Sequence, residues 1–171
     1  MKKAVLVVDM LNDFTLDGAP LKVEENKKII PNIKRLLDEE RGRGTPIIYV
    51  CDSHAEDDKE FEIWPKHCVE GTKGAEIVDE LKPEENDFIV KKTTYDGFFR
   101  TSLDDLLKNL GVDYLIITGC VINICILYTA SSAVLRGYSV EIPLNCVSAL
   151  DEKSRECAID QFKYVLNVKL T

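Results

Sequence analysis

Short apolar, β-branched runs alternate with amphipathic stretches along the whole chain. Six runs predict strands: Ala4–Val8, Ile47–Cys51, Phe88–Val90, Tyr114–Thr118, Ser139–Ile142 and Val165–Lys169. Between the first two, Ile29, Ile33, Leu36 and Leu37 recur at helical spacing on one face. Thr101-Ser102, the acidic pair Asp104-Asp105 and a closing Gly111 mark the start and stop of a second helix. Asn123 to Arg136, closed by Gly137, predicts a third, and Asp151 to Tyr164 a fourth. Strands that are continuously apolar and separated by helices pack as a parallel sheet buried on both faces. The pattern shows no repeat, low-complexity tract or linker, which predicts one α/β domain over residues 1–171.

Such a fold binds ligands beyond the carboxyl ends of its strands. The residues expected there are Asp9, Asp52 with His54, Lys92, and the segment from Gly119 to Cys125. Four strand ends thus deliver a carboxylate, two possible metal ligands, a cation and a thiol to one edge.

Composition removes several classes of partner. The 171 residues carry a net charge of −8, which speaks against phosphate-backbone binding and so against nucleic acid. No apolar run approaches the roughly 20 residues of a membrane span, and Ala4–Val8 is too short for a secretory signal. A cytoplasmic protein is expected. Six cysteines without a CxxC pair are then free thiols, and most of them pack as small hydrophobes.

Cys125 differs from the others. The strand, the Gly119 turn and Asn123 as N-cap would place it in the first turn of a helix, where unpaired N–H groups favour an anion. Its pKa is expected below the free-thiol value of roughly 8.5. A buried structural cysteine is the alternative. Asp9 suits either a cap or a proton-transfer group, and Lys92 either a thiolate partner or a solvated side chain. Asp52 and His54, two apart in extended chain, point the same way, and His67 follows Trp64-Pro65. One carboxylate and two imidazoles suit a divalent metal, zinc or iron, with hydrogen-bonded loop histidines as the alternative.

Together these motifs resemble the isochorismatase-like cysteine hydrolases, the nicotinamidase branch in particular. Val7-Val8-Asp9-Met10-Leu11-Asn12-Asp13-Phe14 is similar to the family's first-strand motif, Lys92-Thr93-Thr94-Tyr95-Asp96-Gly97-Phe98 to its lysine segment, and Gly119 to Cys125 to its nucleophile motif. The resemblance implies a three-layer α/β/α fold around a six-stranded, mostly parallel sheet, Rossmann-like in outline. It implies a triad of Asp9, Lys92 and Cys125. It also implies a cis peptide at Cys120–Val121, with the Val121 and Cys125 N–H groups forming an oxyanion hole. Asp52-Ser53-His54 and Trp64-Pro65-Lys66-His67-Cys68 match the branch's metal motif, so Asp52, His54 and His67 would hold zinc, iron or manganese. The implied substrate is a small-molecule amide, nicotinamide foremost, and the implied assembly a homo-dimer or tetramer. Phe14 and Trp64 would sandwich a flat ring.

Leu11 stands where the branch usually has Gln, Ser53 where it often has Trp, and Asn123 where an acidic residue is common. The loop from His54 to His67 is short; it and Leu11 are expected to line the pocket. A carbamoyl or ureido substrate is the alternative within the same chemistry. A redox-sensing protein, with Cys120 and Cys125 forming a reversible disulfide, is the alternative outside it.

Overall fold

The computed structural model describes residues 1–171. Strands β1 (Lys3–Val8), β2 (Ile47–Asp52), β3 (Phe88–Lys92), β4 (Tyr114–Gly119), β5 (Ser139–Ile142) and β6 (Lys169–Leu170) form one sheet in the order β3-β2-β1-β4-β5-β6. Every neighbouring pair is parallel. Strands β2 and β4 are buried at every position and β1 at five of six, as central strands covered on both faces must be.

Five helices cover the sheet: α1 (Asn12–Thr15), α2 (Asn26–Gly42), α3 (Leu103–Asn109), α4 (Cys125–Leu135) and α5 (Glu152–Asp160). On one face Ile29, Ile33 and Leu37 of α2 pack on Val5, Val7, Tyr49 and Ile116. On the other, Leu103 and Leu107 of α3, Ile126 and Ala130 of α4 and Phe162 pack on Leu6, Val50, Leu115 and Ile117. Alternate residues of one strand thus feed two separate cores.

The sequence pattern errs at two places. The run Val165–Lys169 is not a strand: α5 continues through a π-helical turn, Gln161–Val165, and β6 is only Lys169–Leu170. Tyr164 and Val165 are exposed, so their apolar character does not report a buried strand. Helix α4 begins at Cys125, and its N-cap is Ile124, not Asn123. The Asn123 side chain makes no cap hydrogen bond, and its Oδ1 is buried without a partner.

The strand order reverses between β1 and β4, opening the crevice in which such sheets bind ligands. There the chains approach closely. Gly119 has φ +116, and a Cβ on it would lie 2.0 Å from the Val8 carbonyl oxygen. Only glycine lets β4 end at that distance from β1.

Candidate active site

Asp9 follows β1, Asp52 and Lys92 close β2 and β3, and Cys125 opens α4. Asp52 and Lys92 are register partners in the β2–β3 ladder, so their side chains leave the sheet together. Asp9 adopts a left-handed φ of 53, uncommon outside glycine, and its Oδ1 accepts from the Asp52 N–H at 2.8 Å. Lys92 Nζ is 2.7 Å from Asp9 Oδ2, hydrogen bonds Asp52, and donates to the Thr94 carbonyl at 3.0 Å. Its distance to Cys125 Sγ is 3.7 Å.

A lysine this buried needs such partners. Burial opposes its charge, but Asp52 and Asp9 outweigh that and hold its pKa well above the ordinary value. Burial likewise opposes ionisation of Asp52, and Lys92 with the two imidazoles reverses it, keeping that carboxyl below its usual range. Asp9 goes the other way: burial, reinforced by the Asp52 charge and opposed by Lys92, pushes it up to about 6.

Cys125 corrects an expectation. Burial raises its thiol well above the ordinary value, and the nearby Lys92 only opposes that rise. Burial thus favours the neutral thiol, and beside it stands a carboxylate whose pKa is also raised, a pairing suited to proton transfer. The Cys120–Val121 peptide is cis. Neither the Val121 nor the Cys125 N–H has an acceptor in the protein.

Beside this cluster stand the imidazoles. His54 Nε2 lies 3.6 Å and His67 Nε2 3.8 Å from Asp52 Oδ2, and the three candidate ligand atoms fall within 4.8 Å of one another. Each ring is fixed through its other nitrogen: His54 Nδ1 meets Asp58 at 3.0 Å, and His67 Nδ1 meets the Pro65 carbonyl at 2.7 Å. That is the usual orientation of metal-binding histidines. Burial opposes charge on His54, but Asp52 and Asp58 carry its pKa to about 9, so the site favours a cation. His54 Nε2 is buried without a hydrogen-bond partner. Donors around tetrahedral zinc sit about 3.3 Å apart, given metal–ligand bonds near 2 Å. The separations here are wider, but one carboxylate and two imidazoles, with His54 Nε2 buried and unpartnered, make a donor set that fits a divalent metal.

A cavity joins the two clusters. Asp9, Cys125, Asp52 and His67 line its polar end, and Phe14, Leu21, Val23, Trp64, Ile124 and Leu150 its apolar walls. Trp64 Nε1 donates to the Tyr95 hydroxyl at 2.9 Å, and both side chains line the cavity. Phe14 and Trp64 lie on it as expected; Leu11 does not. Leu11 is fully buried in the α2-side core, where it bridges to Ile77.

Sequence reasoning missed Glu60, which lines the cavity 3.9 Å from His67 Nε2, and Asp58, which anchors His54. Both occur in the acidic loop 56–62, whose charge resembles ordinary solvated surface. The four-residue step from His54 to Asp58 was the only local signal.

The isochorismatase domain matches residues 3–171. This chain belongs to the isochorismatase family. The uncharacterized isochorismatase family protein YaaI of Bacillus subtilis is 32% identical over 99% of this chain and 93% of its own length. The crystal structure of N-carbamoylsarcosine amidase from Thermoplasma acidophilum aligns with TM-score 0.91 and 33% identity, covering 100% of this chain and 96% of that one. The pyrazinamidase of Pyrococcus horikoshii, solved in complex with zinc, aligns with TM-score 0.93 and 30% identity, covering 100% and 99%. Membership of this hydrolase family and the all-parallel six-stranded sheet agree with the sequence reading. No helix is long and apolar enough to cross a membrane.

Proposed function

We propose that this chain, acting as one domain over residues 1–171, is a cysteine amidohydrolase that converts nicotinamide to nicotinate and ammonia. The observation that carries the reading is the cavity itself. Cys125 and Asp9 face a chamber with aromatic and aliphatic walls, and its charged lining consists of the carboxylates Asp9, Asp52 and Glu60. Such a chamber, apolar over most of its wall, accepts a flat, neutral amide.

In this mechanism Asp9 takes the Cys125 thiol proton as the sulfur attacks the carboxamide carbon. Lys92 stabilises the charge on sulfur, and the free N–H groups of Val121 and Cys125 receive the oxyanion. The C–N bond then breaks, and the proton on Asp9 leaves with ammonia. Asp9 next takes a proton from water, whose oxygen adds to the thioester carbon; loss of the sulfur gives the acid, and the proton returns to the thiol. Asp52, His54 and His67 would hold a divalent metal, zinc by the preference of two nitrogens and one carboxylate. When bound, it would supply a Lewis acid for a ring nitrogen of the substrate. Phe14 and Trp64 flank the ring. The absence of any disulfide fits a cytoplasmic location, and exposed Tyr128 and Leu135, seven apart on α4, offer a face for a homo-oligomer.

A carbamoyl substrate is the second reading, favoured by the likeness to N-carbamoylsarcosine amidase. Ammonia release from nicotinamide, pyrazinamide and carboxylate-bearing carbamoyl compounds separates the two. Turnover of nicotinamide that disappears in Cys125→Ala supports the first reading, and preference for an anionic carbamoyl compound replaces it with the second.

A further inference from the structure

The segment that carries His67 is held by a residue outside the metal cluster. Asp13, in α1, accepts the Cys68 N–H through Oδ2 at 2.7 Å. The Cys68 carbonyl in turn accepts the His54 N–H at 2.9 Å, and the His54 carbonyl accepts the Glu70 N–H at 2.9 Å. One carboxylate thus anchors Cys68 through its N–H, and the carbonyl of the same residue joins the two imidazole-bearing segments. Cys68 has a left-handed φ of 46, a conformation that a non-glycine residue keeps only when its surroundings impose it.

The space Asp13 occupies is also specified. A Cβ on Gly74 would lie 2.1 Å from Asp13 Oδ2 and 2.3 Å from Asp13 Cγ. Gly74 does not have positive φ, so its missing side chain serves this contact and not its own backbone. The preceding residue of α1 ties down the same loop: Asn12 Nδ2 donates to the Lys73 carbonyl at 2.8 Å, and its N–H to the Glu76 carbonyl at 2.9 Å.

From this geometry we infer that Asp13, seated in the space left by Gly74, is a positioning residue for the divalent-metal site. It acts through the Cys68 amide to aim His67 and His54 at Asp52. The inference rests on the reading that those three residues bind a metal. It assigns Asp13 no contact with metal or substrate.

The test is a Zn²⁺ titration of chelator-stripped protein against a chromophoric competitor, with circular dichroism confirming the fold of each variant. Asp13→Ala is expected to weaken Zn²⁺ binding about 10- to 100-fold, the usual cost of losing an outer partner of a metal ligand. Asp13→Asn, whose amide oxygen can still accept the Cys68 N–H, is expected to stay near wild type. Gly74→Ala should reproduce the Asp13→Ala loss, and the double variant should be no weaker than either single one. The Co²⁺ absorption bands should move in Asp13→Ala and not in Asp13→Asn. Folded Asp13→Ala with wild-type affinity and spectrum overturns the inference, as does Asp13→Asn as weak as Asp13→Ala. If Asp13→Ala does not fold, Gly74→Ala and Asp13→Asn decide the matter. Wild type that binds neither Zn²⁺ nor Co²⁺ removes the metal reading itself, and the inference with it.

Discussion

Lys92 hydrogen bonds Asp52, and the second oxygen of that carboxylate faces both imidazoles. The proton-transfer cluster and the histidine cluster therefore share one charged group. Asp52 and Asp9 outweigh burial and favour the charged form of Lys92, which suits it to stabilising negative charge. Asp9, with its pKa raised to about 6, suits the proton-transfer role that the proposed mechanism gives it.

Lys92→Met is expected to destabilise the fold by about 3–5 kcal/mol, because it leaves the Asp9 and Asp52 carboxylates buried without their cation. Urea denaturation measures this. Adding Asp9→Asn should recover part of the loss, since it removes one of the two stranded charges. A double variant less stable than Lys92→Met would contradict the charge argument.

Gly119→Ala is expected to cost about 3 kcal/mol or more, from a left-handed φ combined with a collision against backbone. The Val8 carbonyl cannot turn away, because it accepts the Cys120 N–H at 3.0 Å. Thermal melting would show it. An unchanged melting temperature would mean that β1 and β4 can separate without penalty.

Much of the fold was legible because each central strand is an uninterrupted apolar run, and residues such as Val50 and Ile117 have no reason to be so apolar unless covered on both faces. The edge was less legible. At β6 two residues suffice for pairing, and exposed Tyr164 and Val165 mimic a strand. The reactive groups could be placed because they follow strands at whose ends the parallel fold gathers chemistry. Their protonation could not. Cys125 at a helix start suggests a lowered pKa, yet burial raises it, and burial is a property of the packed whole. Glu60 was invisible for the same reason: only the folded loop turns one acid of an acidic stretch inward.

Removing the metal is expected to abolish nicotinamide hydrolysis, and Zn²⁺ to restore it. Cys125→Ala should bind Zn²⁺ as tightly as wild type while losing turnover, because the thiol is not among the three candidate ligand residues. Asp58→Ala should weaken Zn²⁺ binding about tenfold or more by freeing His54 Nδ1. Metal analysis of the purified proteins together with initial rates checks all three. Full activity in the presence of excess chelator would detach the imidazoles from catalysis.

The hydrogen bond from Trp64 to Tyr95 joins two loops that both border the cavity, so it sets how far apart those walls stand. Tyr95 also packs against Tyr128 of α4, the rings tilted by 37° with centroids 5.6 Å apart. Trp64→Phe keeps an aromatic wall but loses the N–H, and Tyr95→Phe loses the acceptor. Each removes the same bond, worth about 0.5–1.5 kcal/mol, so each should raise KM roughly two- to tenfold with kcat nearly unchanged. Cys125, Asp9 and Lys92, the reacting groups of the proposed mechanism, touch neither side chain through a hydrogen bond, which is why kcat should be spared. Because both substitutions break one bond, the double variant should resemble either single one. Additive losses in KM would show instead that the two residues contact substrate separately, and a fall in kcat alone would place the bond in the chemical step.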